Sequence, residues 1–112
     1  MKRLKGKKEI EVLFEEGSSI NVFPFRLIFL RNYETAIGVS VGKKNFRLAV
    51  HRNRIKRQMR ASVKKYFWPI LNESTNNYTL MLIYISKEKP DWNQMVDKIK
   101  IVSEKFKKRI YE

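Results

Sequence analysis

The sequence predicts an α+β fold, a single domain with a mixed sheet of about four strands and helices packed on it. Three observations predict it. Alternating apolar residues mark strands over Ser19–Leu30 and Ala36–Val41. Tyr78–Ile85, YTLMLIYI, is apolar on both alternating sets and reads as a central strand covered on both faces. Helical spacing of apolar residues runs through residues 48–70 and again through residues 91–110. The 112 residues suffice for one core, and no repeat or internal linker divides them.

Composition bounds the function. Apolar content of 43% is that of a globular chain, and the absence of cysteine excludes disulfides, thiolate metal sites and a thiol nucleophile. Twenty-five basic residues against 11 acidic ones give a net charge of +14. Such a field opposes compactness and attracts polyanions, nucleic acid first and an anionic membrane surface second. No apolar run is long enough to span a membrane, and the basic start MKRLKGKKEIEV has no apolar segment behind it. The expected location is cytoplasmic.

Taken in order, Met1–Lys8 holds five Lys or Arg residues with little that packs, and reads as a mobile basic arm. From Lys8 to Glu16 the spacing of Ile10, Leu13 and Phe14 predicts a short helix that stops at Gly17. Its glutamates spread around the helix and do not converge on one metal ion. In Ser19–Leu30 the side chains of Phe23, Phe25, Leu27 and Phe29 share one face, and Pro24 marks an edge or a bulge. In the next strand Ile37, Val39 and Val41 share a face opposite Ala36, Gly38 and Ser40. That small-residue face suits either the approach of a ligand or close helix packing. Pro69 and the polar loop NESTNN end the central helical stretch. Asp91, with Gln94 three residues on, caps a final helix whose stripe includes Trp92, Met95, Ile99, Val102 and Phe106. Whether the strands flanking the central helix lie parallel is not readable, and a right-handed crossover is the default if they do.

The functional stretch is Lys43–Phe67, with ten Lys or Arg residues and no carboxylate. At roughly 100° per residue, Leu48, Ile55, Met59, Val63, Tyr66, Phe67 and Ile70 fall in one apolar arc. Beside it run Asn53, Arg57, Arg60 and Lys64; Arg54 and Lys65 lie further round. Arg52 falls inside the apolar arc, and an unpaired guanidinium is too costly to bury. The first helical turn is therefore expected to overhang the core and face a cleft or ligand. Free N–H groups, a positive dipole end and Arg side chains suit phosphate. Asn53 is the one good candidate for contact with a base or ribose. Phe14, Phe25 and Tyr33 are candidates for stacking on unpaired bases.

Catalytic equipment is scarce. His51 is the only histidine, set among cations and without a proton-transfer partner. No carboxylates converge in the basic half for two-metal hydrolysis, and no Walker-type phosphate loop is present. The residues describe a nucleic-acid-binding module.

RNRIKRQMR, Arg52–Arg60, preceded by GVSVGKK and the spacer RLAVH, resembles the signature of the bacterial ribonuclease P protein component. The helix ending in Phe14-x-x-Gly17, the strands and the terminal helix follow in that family's order, over nearly the whole chain. The resemblance implies a fold like ribosomal protein S5 domain 2, with a left-handed βαβ crossover in place of the default hand. It also implies a subunit of an enzyme: the protein assists a catalytic RNA, the ribonuclease P RNA, that removes the 5′ leader of precursor tRNA. Hydrolysis is then the work of that RNA and its bound Mg2+. Arg52, Asn53, Arg54, Lys56, Arg57 and Arg60 are implied to contact the RNA, continued along the helix by Lys64. Lys43 and Lys44 match the lysine pair of the signature. Phe14 and Phe25 match aromatic positions of a cleft for the single-stranded leader, and Ile28 and Ile10 stand where other aromatic positions fall. No metal site on the protein, no membrane and no obligate protein partner are expected. The competing expectation is a ribosomal or other structural RNA-binding protein of the same fold.

Overall fold

The computed structural model describes residues 2–4 and 6–111. Its elements are β1 (Lys2–Arg3), α1 (Lys7–Glu16), β2 (Ser18–Val22), β3 (Phe25–Asn32), β4 (Ala36–Val41), α2 (Ala49–Tyr66), α3 (Trp68–Glu73), β5 (Asn77–Tyr84) and α4 (Trp92–Ile110). The strands form one mixed sheet in the order β1-β4-β5-β3-β2. β4 and β5 are parallel, with Ala36 beside Thr79 and Val41 beside Tyr84, so α2 and α3 form the crossover of a βαβ unit. β1 is parallel to β4, while β3 pairs antiparallel with both β5 and β2.

β5 is buried on both faces, as its continuous apolar run predicts. Leu80 and Leu82 face the main core, shared with Leu27, Ile55, Met59, Ile99 and Phe106 beneath α2 and α4. Met81 faces a smaller core, where Leu13 of α1 packs with Ile28, Ala36 and Leu4. Ring contacts tie α4 to the sheet and to the end of α2: Phe106 meets Phe29 at 5.2 Å and Phe67 at 5.8 Å. Asp91 caps α4 as expected, its Oδ1 accepting from the backbone N–H of Asn93 at 2.9 Å and of Gln94 at 3.4 Å.

Four expectations change. Ser19–Leu30 is not one strand but a hairpin, in which Val22 pairs with Phe25 across a turn containing the cis Phe23–Pro24 bond. Phe23 sits at that turn, exposed, and does not share a core face with Phe25. The basic arm is not without packing: residues 2–3 pair with β4 and Leu4 is buried, its N–H donating to the Ile37 carbonyl at 3.1 Å. Met1 and Lys5 of that arm lie outside the described residues. Pro69 sits in the first turn of α3, where a missing N–H costs nothing, so the chain turns into a second short helix instead of leaving helical structure. Leu48 is the residue before α2 and is exposed, because the core stripe of the helix starts at Ile55.

Gly17 connects α1 to β2 where backbones meet closely. A Cβ there would lie 2.4 Å from the Leu13 carbonyl oxygen and 2.7 Å from Ile28 Cγ2. Backbone cannot yield as a flexible side chain does, so Gly17→Ala is expected to lower the unfolding free energy by about 1–3 kcal/mol. Urea denaturation followed by far-UV circular dichroism measures this; an unchanged midpoint would refute the tight connection.

Candidate nucleic-acid interface

The interface is built on α2. Ile55, Met59 and Val63 anchor its inner face in the main core, which leaves the remaining faces to cations. Lys56, Arg60 and Lys64, spaced by four residues, project along one side of the helix. Asn53 and Arg57 are exposed and, from their spacing, lie on that same side.

This side of α2 borders a cleft of about 570 Å³ at the edge of the sheet. β1 covers β4 only as far as Ile37, and beyond it Gly38, Val39 and Ser40 form the cleft floor. Ile10 and Phe14 of α1 form one wall; Val63 and Trp68 form the other. Arg3, Lys56, Arg60 and Lys64 bring four cations to it from β1 and α2, and among the described residues no carboxylate lines it. The Lys64 ammonium stands 5.4 Å from the centre of the Trp68 ring. Partial burial, and then the charge of Arg3, hold the Arg60 guanidinium below its ordinary pKa; it stays protonated at neutral pH. Such a cleft suits a chain that carries negative charge and flat apolar surfaces together, which is the description of a single-stranded nucleic acid.

Of the expected cleft residues, Phe14 and Ile10 are in place, with Phe14 50% exposed. Phe25 and Ile28 are not. Phe25 is fully buried in the main core, edge-on to Tyr84 at 5.6 Å, and Ile28 is buried under α1. Both stand on β3, and β5 lies between β3 and the β4 edge where the cleft opens. Tyr33, 96% exposed on the turn from β3 to β4, lines a separate shallow hollow with Glu9 and Glu34. The small-residue face of β4 proves to be both close-packed and open. Leu4 and Met81 crowd Gly38 from one side, and the cleft takes the rest.

Lys43 and Lys44 are exposed in the turn after β4, outside the cleft. Arg54 lies on the other side of α2, beside His51. Arg52 has a structural task. Its Nη1 donates to the carbonyl oxygens of Phe46 at 2.7 Å and Arg47 at 2.8 Å, so the guanidinium clasps the loop that leads into α2. This resolves the anomaly of a guanidinium on the apolar arc: it is half-buried, but hydrogen-bonded. Sequence reasoning missed Arg3, Trp68 and Met81 in the cleft. The signal for Arg3 was Leu4, the lone large apolar side chain in the basic arm after Met1.

The family model for ribonuclease P matches residues 1–107. The chain belongs to the ribonuclease P protein family. The ribonuclease P protein component of Porphyromonas gingivalis is 35% identical over 98 residues, covering 80% of this chain and 72% of that one. That of Lactobacillus delbrueckii subsp. bulgaricus is 39% identical over 62 residues, 53% of this chain and 51% of its own length. Among solved structures, the ribonuclease P protein of Thermotoga maritima superposes with a TM-score of 0.77 at 20% identity, covering 94% of this chain and 97% of that one. A Staphylococcus aureus ribonuclease P protein mutant, described as defective in mRNA degradation, gives 0.76 at 22% identity over 94% and 87%. Membership of the ribonuclease P protein family thus rests on sequence, and the two superpositions establish the shared fold.

Because Arg52 holds backbone carbonyls, its loss and the loss of an outward cation have different signatures. Arg52→Ala is expected to cost about 1–3 kcal/mol of stability, with faster amide exchange in the loop at residues 42–48. Arg57→Ala is expected to leave the urea midpoint unchanged. Equal stability of the two variants would refute the clasp.

Proposed function

We propose that this chain is the protein component of ribonuclease P, binding the catalytic RNA through α2 and holding the 5′ leader of precursor tRNA in the cleft. The observation that carries this reading is the cleft itself, with cations converging from β1 and α2 around an exposed phenylalanine and an indole, in a member of the ribonuclease P protein family. Lys56, Arg60 and Lys64 meet phosphates, and each phosphate neutralised releases counterions, which stabilises the complex and lowers its need for dissolved cations. Arg57, Asn53, Lys43 and Lys44 extend the contact to the catalytic RNA outside the cleft. Phe14 stacks on an unpaired leader base, with Ile10 as its apolar neighbour.

The chemistry in this reading belongs to the RNA. Among the described residues no three His, Cys, Asp or Glu side chains gather to hold an ion. In this reading the Mg2+ that the family resemblance implies is held by that RNA, and no step is assigned to an ion held by the protein. His51 lies outside the cleft, in a hollow with Arg54, Gln58 and Lys89 where among the described residues there is no carboxylate or second histidine to pair with it. Among the described residues no helix is long and apolar enough to cross a membrane, and we place the protein in the cytoplasm with its RNA.

The test is cleavage of precursor tRNA at low Mg2+ by the protein alone, by the ribonuclease P RNA alone, and by the two together. Cleavage only in the mixture is expected. Activity of the protein alone would overturn the assignment of chemistry to RNA, and failure to stimulate the RNA would favour a structural RNA-binding protein. In the assembled complex, Phe14→Ala is expected to weaken binding of precursor tRNA by about tenfold while sparing mature tRNA. Equal loss for both, measured by equilibrium binding, would remove the leader from the cleft.

A further inference from the structure

The cleft uses one side of α2. On the other side, His51, Arg54, Gln58, Ala61 and Lys65 follow one another at spacings of three, four, three and four, which is a single row on a helix. At 1.5 Å per residue the row is about 21 Å long. The segment Lys89–Asp97, the loop before α4 and the first turns of that helix, faces it and borders two hollows that follow one another along α2, together called the groove. The first part, about 230 Å³, is lined by His51, Arg54, Gln58 and Lys89. The second, about 350 Å³, lies between Tyr66 on α2 and Trp92 on α4.

The chemistry changes along the groove. Arg54 and Lys89 bring cations to the first part, where among the described residues no carboxylate intrudes. The second part is aromatic. Trp92 is 42% exposed, although it begins a helix whose Asp91 cap fixes its position. Ala61 and Ser62 stand across from it, small enough to leave space, and the Ser62 hydroxyl is already committed to the Gln58 carbonyl at 3.1 Å. The Lys65 ammonium lies 5.4 Å from the centre of the Tyr66 ring. Among the described residues Asp97 is the one carboxylate lining this part.

We propose that the groove between α2 and the start of α4 is a second RNA-binding site, taking a few unpaired nucleotides of the catalytic RNA with one base stacked on Trp92 and phosphates on Arg54, Lys65 and Lys89. This rests on the reading of α2 as an RNA-contacting helix and adds a separate strand on its far side. Charge selects the occupant: among the described residues the cations of this groove outnumber its single carboxylate, and two of them, Arg54 and Lys65, stand on the helix that already carries the cleft cations. An exposed indole beside a lysine, with an arginine in the neighbouring hollow, suits single-stranded nucleic acid by stacking and charge together. In the assembled enzyme α2 is then held between two RNA contacts, the leader on one side and catalytic RNA on the other.

The test is equilibrium binding of the full chain to the catalytic RNA over a range of salt, comparing Trp92→Ala and Lys65→Glu with Arg57→Ala. Trp92→Ala is expected to weaken binding by about tenfold with an unchanged salt slope. Lys65→Glu is expected to weaken binding and flatten the slope. Neither is expected to alter the preference for precursor over mature tRNA. Ala61→Trp, which closes the groove from an exposed position and leaves Trp92 in place, is expected to reproduce the loss and guards against a folding defect in Trp92→Ala. If Arg57→Ala weakens binding while the three groove variants bind like the unaltered protein, the groove is not an RNA site and the function of α2 stands. If all four bind like the unaltered protein, the reading of α2 falls with it.

Discussion

Burial of Ile55, Met59 and Val63 against the sheet is what allows α2 to exist. The helix has no acidic residue in its first turn, its N-cap Leu48 offers no side-chain hydrogen bond, and its exposed cations repel one another. Each like-charge pair one turn apart costs about 0.2–0.5 kcal/mol, whereas each large apolar side chain buried returns about 1.5–3 kcal/mol. Packing therefore dominates, and it fixes the azimuth of the helix. Once those three side chains point inward, Lys56, Arg60 and Lys64 must point toward the edge of β4. The clasp of Arg52 on the Phe46 and Arg47 carbonyls secures the entry to the helix, where no capping side chain does so.

The sheet order turns that orientation into a binding cleft. Because β4 and β5 are parallel, the crossover carries α2 over the main core and leaves β4 near the border of the sheet. The two-residue β1 then closes only part of the border. The open remainder lies between α1 and α2, so a short strand, a surface helix and a basic helix contribute one side chain after another to the same volume. None of these elements would bind a nucleic-acid strand with the same geometry alone.

The sequence made the elements with strong periodicity legible: α2, α4 and β5 lie close to where their patterns put them, and the cationic face of α2 is apparent from the spacing of its Lys and Arg residues. The hairpin was less legible, although its signal was present. Ile20 and Val22 face the main core from even positions, Phe25, Leu27 and Phe29 from odd ones, and the change of parity falls on Phe23–Pro24. In the candidate cleft, Phe14 was a stacking candidate from its own chemistry and Ile10 entered through the family resemblance; one helical turn of α1 sets both on the cleft wall. Phe25 and Ile28 were misplaced because an aromatic or apolar residue in a strand does not reveal its distance from an edge. β5 separates β3 from β4, and two strand spacings are about 9.6 Å, beyond reach of the cleft. Arg3 was missed because a two-residue pairing leaves no periodicity, and Trp68 because it falls outside the apolar arc of the helical stretch and drew no separate reading.

The partly uncovered border of β4 has one more consequence. Strands with free backbone N–H and C=O groups invite pairing with the same strand of another molecule, and proteins guard them against it. Here two copies brought border to border would set Arg3, Lys56, Arg60 and Lys64 of each against those of the other. In the proposed reading, the same four charges that admit a polyanion would oppose such pairing, and an RNA strand in the cleft would neutralise them only by occupying the place where a second chain would add.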